Sequence, residues 1–206
     1  MLSDLFLYIG WGLISPIFSI FTIENIAGAT IVTAGTSSAI YWFSRSGIQI
    51  PVARFLDKRK GERDDFHALV FALLMIAMAS FMLAGTKTIP QLYTVQFFHG
   101  LALGIYQVAW PSIFSRHMDK DKVSLDWSLD RASIGAAVAV ASILGSQAVA
   151  LWGFSLVFMF TGTMSILSAL ALIGLPDLLF PGEATKKDII SARSHHKHKA
   201  KGTPSV

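Results

Sequence analysis

Between residues 5 and 175 the chain alternates long apolar runs with short polar turns. Each run is near the roughly 20 mostly apolar residues that a helix needs to cross the hydrocarbon core. The runs are Leu5 to Ile23, Ala29 to Phe55, Phe66 to Gly85, Ile89 to Phe114, Trp127 to Leu151 and Phe154 to Leu175. They predict an all-α integral membrane protein with six transmembrane helices. A β-barrel would instead alternate apolar and polar residues over segments of about ten. Pro16, Pro51 and Pro111 fall within runs or near their ends. Neighbouring helices and polar side chains can satisfy the carbonyls they free, so kinks are expected rather than breaks. Beyond the last run there is no apolar periodicity to hold a fold, which divides the chain into a six-helix domain, 1–180, and a tail, 181–206, expected to be disordered.

Composition strengthens the membrane reading, because 53% of residues are hydrophobic and only 15% charged, a balance soluble domains rarely show. Cys is absent, which excludes disulfides, thiolate metal sites and cysteine nucleophiles. The first run lacks a basic leader and a small-residue cleavage site, so it reads as a retained span. Basic residues gather after the second run (Lys58, Arg59, Lys60, Arg63), after the fourth (Arg116, Lys120, Lys122) and in the tail. Only Lys87 lies in the turns of the other side. The asymmetry predicts a multi-pass protein of the plasma or inner membrane with both termini cytoplasmic. It assigns the net charge of +4 to topology and lipid headgroups, not to nucleic acid. The tail run Ser194 to Lys199 carries three His; a basic juxtamembrane segment of this kind is expected to rest near anionic lipid, and no metal site is assigned.

Polar positions inside the runs supply the candidate chemistry. In the fourth, Gln96, His99, Gly100, Leu103, Tyr106, Gln107 and Trp110 share one helical face. In the first, Tyr8, Trp11, Gly12, Ser15, Ser19 and Thr22 do the same. Polar groups at membrane depth face protein or water, so the stripes are read as cavity lining in preference to interhelical hydrogen bonding. Arg45 in the second run has two readings of equal weight: it binds an anionic group, or it snorkels toward the cytoplasmic surface. His99 is either a proton carrier or a neutral, hydrogen-bonded imidazole. Gly100 and Gly104, with the small residues of the fifth run, are expected to let helix backbones approach closely.

The turn after the second run reads Ala53-Arg54-Phe55-Leu56-Asp57-Lys58-Arg59-Lys60-Gly61-Glu62-Arg63. This resembles the signature Gly-x-x-x-Asp-Arg-x-Gly-Arg-Lys of the major facilitator superfamily, with Ala53 in place of the first Gly and Gly61 one position late. The chain looks like one six-helix half of such a transporter. The resemblance implies that the first and fourth helices line a central cavity. It also implies that Asp57, Lys58, Arg59 and Gly61 form a cytoplasmic gate, in which Asp57 pairs in one conformation with Arg131, Arg116 or the adjoining half; Asp130 and Arg131 at the start of the fifth run either join that gate or are a charge pattern that favours the helix dipole. Gln96 stands where many members have an Arg, so a proton-coupling role for that position is not carried over. Both halves of such a transporter share one orientation, so a parallel homodimer is expected to move a small-molecule substrate by alternating access. A partner half from another chain, or a scaffold without transport, are the competing readings. No nucleotide-binding loop or nucleophile motif is present; neither an enzyme nor a cofactor is expected.

Overall fold

The computed structural model describes residues 2–58, 62–117 and 123–174, and among these no strand occurs. The helices are α1 (Leu2–Ile14), α2 (Phe18–Asn25), α3 (Ile31–Lys58), α4 (Glu62–Gly85), α5 (Ile89–His117), α6 (Val123–Trp152) and α7 (Phe154–Ile173), with a 3₁₀ turn (Ser15–Ile17) between α1 and α2. Six helical bodies thus stand where six apolar runs were expected. Residues 1–172 form one compact unit; of the second, 173–206, only Ile173 and Gly174 are described. The expected tail, 181–206, lies outside the described residues, as do Arg59, Gly61, Lys120 and Lys122.

Four bodies are long and apolar enough to cross a membrane by composition alone: Ser3–Asn25, Arg63–Gly85, Val123–Trp152 and Phe154–Ile173. The other two, α3 and α5, reach 28 and 29 residues, but their polar positions lower their hydropathy. They are the pair packed most closely on each other, so those polar groups meet across an interface. Several helices outrun their apolar cores at the charged end, as α3 does through Lys58, because Lys, Arg and Glu are good helix formers once the ladder has started.

Each turn has a local cause. Gly28 and Gly153 take φ of 72° and 79°, where a side chain would be strained. Thr30 and Thr33 exchange hydrogen bonds at the start of α3, Thr33 N to Thr30 Oγ1 at 3.4 Å and Thr30 N to Thr33 Oγ1 at 3.1 Å. At α5, Gln91 Oε1 accepts from Thr88 N at 3.3 Å, and Pro90 occupies the first turn, where its missing N–H costs nothing. The turns 26–30 and 86–88 are joined by Ala27 N donating to Lys87 O at 2.9 Å.

The main apolar core lies toward this end, around Phe21, Leu83, Leu92, Val95 and Phe158; the Phe21 and Phe158 rings meet edge-on at 4.7 Å. Elsewhere small residues set the spacing. A Cβ on Gly100 would strike Tyr41 O, and one on Gly104 would lie 2.6 Å from Arg45 O, so the α5 glycines admit the α3 backbone as expected. Gly145 does the same for Leu13 across α6 and α1.

In the first span the kink expected at Pro16 takes the form of a 3₁₀ turn. Pro16 removes the N–H that Gly12 O would accept from, and the ladder passes through one 3₁₀ turn before resuming. The freed carbonyl lies 3.2 Å from Ser142 Oγ of α6, whose single proton it shares with Val138 O at 2.8 Å. Three residues at 3.0 per turn advance the helix phase by about 60° more than α-helix would. The stripe read at a uniform 100° per residue therefore divides: Trp11 and Ser15 stay inward, while Ser19 is exposed.

Candidate functional site

A cavity of about 170 Å³ lies inside the bundle. Its polar wall consists of Trp11 and Ser15 from the first span, Ser38, Tyr41 and Trp42 from α3, Ser80 from α4, Gln96 and His99 from α5, and Thr161 from α7. Leu7, Ile76, Leu103 and Phe158 close it with apolar surface. The Tyr41 and His99 rings stand 5.4 Å apart across the α3–α5 contact that Gly100 permits. Two buried polar atoms here lack a hydrogen bond of ordinary geometry among the described residues, Tyr41 Oη and Gln96 Oε1. Some polar side chains are used internally: Thr161 Oγ1, on the cavity wall, shares its proton between Gly10 O at 3.0 Å and Val157 O at 2.9 Å, and Ser168 Oγ donates to Ser3 O at 2.7 Å. Cavity lining and interhelical bonding thus coexist, distributed residue by residue.

Arg45 sits beside this cavity, the fifteenth of 28 residues in α3. Helical side chains lean toward the N-terminus, and its guanidinium lies 4.4 Å from the centre of the Trp42 ring and 6.0 Å from that of Tyr41. It therefore points away from the basic end of α3, toward these two rings. Its Nε donates to Gln107 Oε1 at 2.9 Å, and Gln49 Nε2 donates to the same oxygen at 3.1 Å. An Arg has only donors, so this oxygen assignment follows from chemistry. Gln107 precedes Pro111 by four residues, hence its own carbonyl is also released from the ladder.

Tyr106, expected in the cavity, belongs to a second polar group. Its hydroxyl donates to Asp4 Oδ1, and Asp4 is wholly buried at the start of α1. Arg131 Nη2 of α6 lies 3.7 Å from Asp4 Oδ2 and 2.7 Å from Asp130 Oδ2; Tyr8 adjoins Arg131. The Tyr106, Trp110 and Phe114 rings follow one another at 6.3 and 6.0 Å, Trp127 meets Phe114 edge-on at 5.0 Å, and Arg131 lies 5.7 Å from the Trp127 centre.

Of the expected cavity residues, Trp11, Ser15, Gln96 and His99 line it; Arg45 and Gln107 flank it through Tyr41 and Trp42; Tyr8 and Tyr106 join the Asp4 group; and Ser19 is outside. The structure does not bring Asp57 and Arg131 together. Asp57 and Lys58 are exposed on the last turn of α3, whereas Arg131 is engaged by Asp4 and Asp130 because α1, not α3, packs on α6. Asp4 stands in the first turn of α1, at the edge of an apolar run, and its burial comes from α5 and α6 closing over it. Arg59 and Gly61, assigned to the gate, lie outside the described residues.

A family model described as Major Facilitator Superfamily matches residues 1–202 of the chain. No curated protein matches it.

Proposed function

This chain belongs to the Major Facilitator Superfamily, and from that premise we propose that it moves a small solute across the membrane by alternating access. The six-helix bundle works against a second bundle of the same orientation, which a second copy of the chain supplies as a parallel dimer. The cavity carries the solute, with Trp11, Ser15, Gln96 and His99 on its wall and Arg45 and Gln107 at its edge. Asp57, Lys58, Arg59 and Gly61, together with Asp130 and Arg131, close the cytoplasmic side. Both termini face the cytoplasm.

One observation carries this reading. The α3–α5 edge presents Trp42, 53% exposed, with half-buried Arg45, Gln49 and Gln107. Charged and amide groups at membrane depth face protein or a watery cavity, not lipid, and a second bundle opposite this edge supplies both. The natural chain has no cysteine, so single cysteines report access directly. In oriented vesicles, Ser38→Cys is expected to react with an impermeant maleimide from either side, Lys87→Cys only from outside and Ser194→Cys only from the cytoplasmic side. Labelling of Ser38→Cys from one side alone, under every condition, overturns alternating access.

A further inference from the structure

We propose that the cavity accepts a small organic anion, a monocarboxylate with a single-ring or similarly compact apolar body, whose carboxylate is bound by Arg45; as a substrate assignment this rests on the transport reading above. The argument begins with charge. Arg45 is 13 residues from Lys58 at the end of α3, about 20 Å at 1.5 Å per residue, and it leans away from that end. A guanidinium stays charged at any accessible pH, and at such depth it requires an anion or water. Its Nε donates to the neutral Gln107 amide and its guanidinium lies beside the Tyr41 and Trp42 rings, with no carboxylate paired to it among the described residues. The buried acids Asp4, Asp65 and Asp130 have other partners, Tyr106, Ser112 and Arg131 respectively. The terminal fork of Arg45 remains, and its planar geometry matches a carboxylate bidentately.

Position and size restrict the rest of the molecule. The rings that flank the guanidinium, Trp42 and Tyr41, are also walls of the cavity, so an anion on Arg45 extends its body inward past them. Tyr41 Oη, buried and without a hydrogen bond of ordinary geometry, is a donor available to the same carboxylate. The cavity holds about 170 Å³, and a cavity of about 150 Å³ takes up benzene. One ring fits within the part of the cavity that this bundle lines. Leu7, Ile76, Leu103 and Phe158 make the far wall apolar, which suits such a body.

Benzoate and its neutral isostere benzamide test this on the purified full chain in neutral detergent, with binding read from tryptophan fluorescence and, independently, calorimetry. The wild type is expected to bind benzoate at least tenfold more tightly than benzamide. Arg45→Gln is expected to erase that preference, and Lys87→Gln in the outer turn to leave it intact. Equal binding of the two probes by the wild type overturns the proposal even if Arg45→Gln fails to fold, and a benzoate preference that survives Arg45→Gln overturns the assignment to Arg45. Short-chain phosphatidylglycerol and inorganic phosphate form a separate arm: Arg45-dependent binding of either, with none of benzoate, makes the ligand a lipid headgroup or phosphate and overturns the carboxylate. Benzoate binding without flux in vesicles leaves this site standing and counts against transport; flux of neutral solutes without anion preference does the reverse.

Discussion

Asp4 and Tyr106 are 102 positions apart and meet because α1 and α5 converge at the charged end of the bundle. A buried carboxylate is tolerated when its charge is compensated; here the Tyr106 hydroxyl donates to Oδ1, while the Arg131 guanidinium lies 3.7 Å from Oδ2, an ion pair without a hydrogen bond. Tyr106→Phe keeps the ring stacked on Trp110 and removes only the donor. It is expected to cost about 1–3 kcal/mol, seen as a lower unfolding temperature in detergent. Asp4→Asn keeps an acceptor for Tyr106, and Arg131 keeps Asp130 at 2.7 Å, so its loss is expected to be smaller. A larger loss for Asp4→Asn than for Tyr106→Phe would mean that the charge, not the hydrogen bond, holds the site. None of this was legible from Asp4 alone, since a carboxylate at the edge of an apolar run looks like an interfacial residue. Arg45 was legible as unusual, because a lone guanidinium within an apolar run has few explanations, but Gln107 as its partner required the α3–α5 contact.

At the scale of elements, that contact depends on two missing Cβ atoms. Gly104→Ala places a methyl 2.6 Å from Arg45 O and closer still to Ile48, forcing the helices apart. A destabilisation of about 1–3 kcal/mol is expected, along with loosening of the Arg45 to Gln107 bond. Gly135→Ala, on α6 with nothing within 4 Å, is expected to be neutral or stabilising by up to about 1 kcal/mol through helix propensity. Unfolding temperatures of the two variants side by side check the contrast, and equal losses would show that glycine at 104 is not there for packing. The spacing of Gly100 and Gly104 made a close helix approach readable in advance, but not that α3 is the partner. The stripe on the first span was only half readable, because a uniform 100° ruler cannot anticipate the extra rotation of a 3₁₀ turn at Pro16, which sends Ser19 outward.

For the whole molecule, the spans were legible because apolar length is set by bilayer thickness, and the orientation was inferred from basic turns by the same kind of general constraint. What the bundle docks against is not a matter of periodicity: the α3–α5 edge gains its half-buried polar groups only when two helices of moderate hydropathy are brought together. The dimer reading predicts twice the chain's 22.4 kDa for the protein mass in nanodiscs, after correction for lipid. A single copy at every concentration would assign the second bundle to another polypeptide or to further sequence.

The interruption at Ser15–Ile17 has a mechanical side. A continuous helix transmits torsion along its ladder, but here the first span is two rods on a common joint. The lower rod, α1, is stapled to α6 and α7 by hydroxyl-to-carbonyl bonds from Ser142, Thr161 and Ser168. The upper rod, α2, is seated by the Phe21 ring against Phe154 and Phe158. Trp11 and Phe18, on opposite sides of the joint, both face the cavity, so a swivel there changes the angle between two of its walls while each rod keeps its own anchorage.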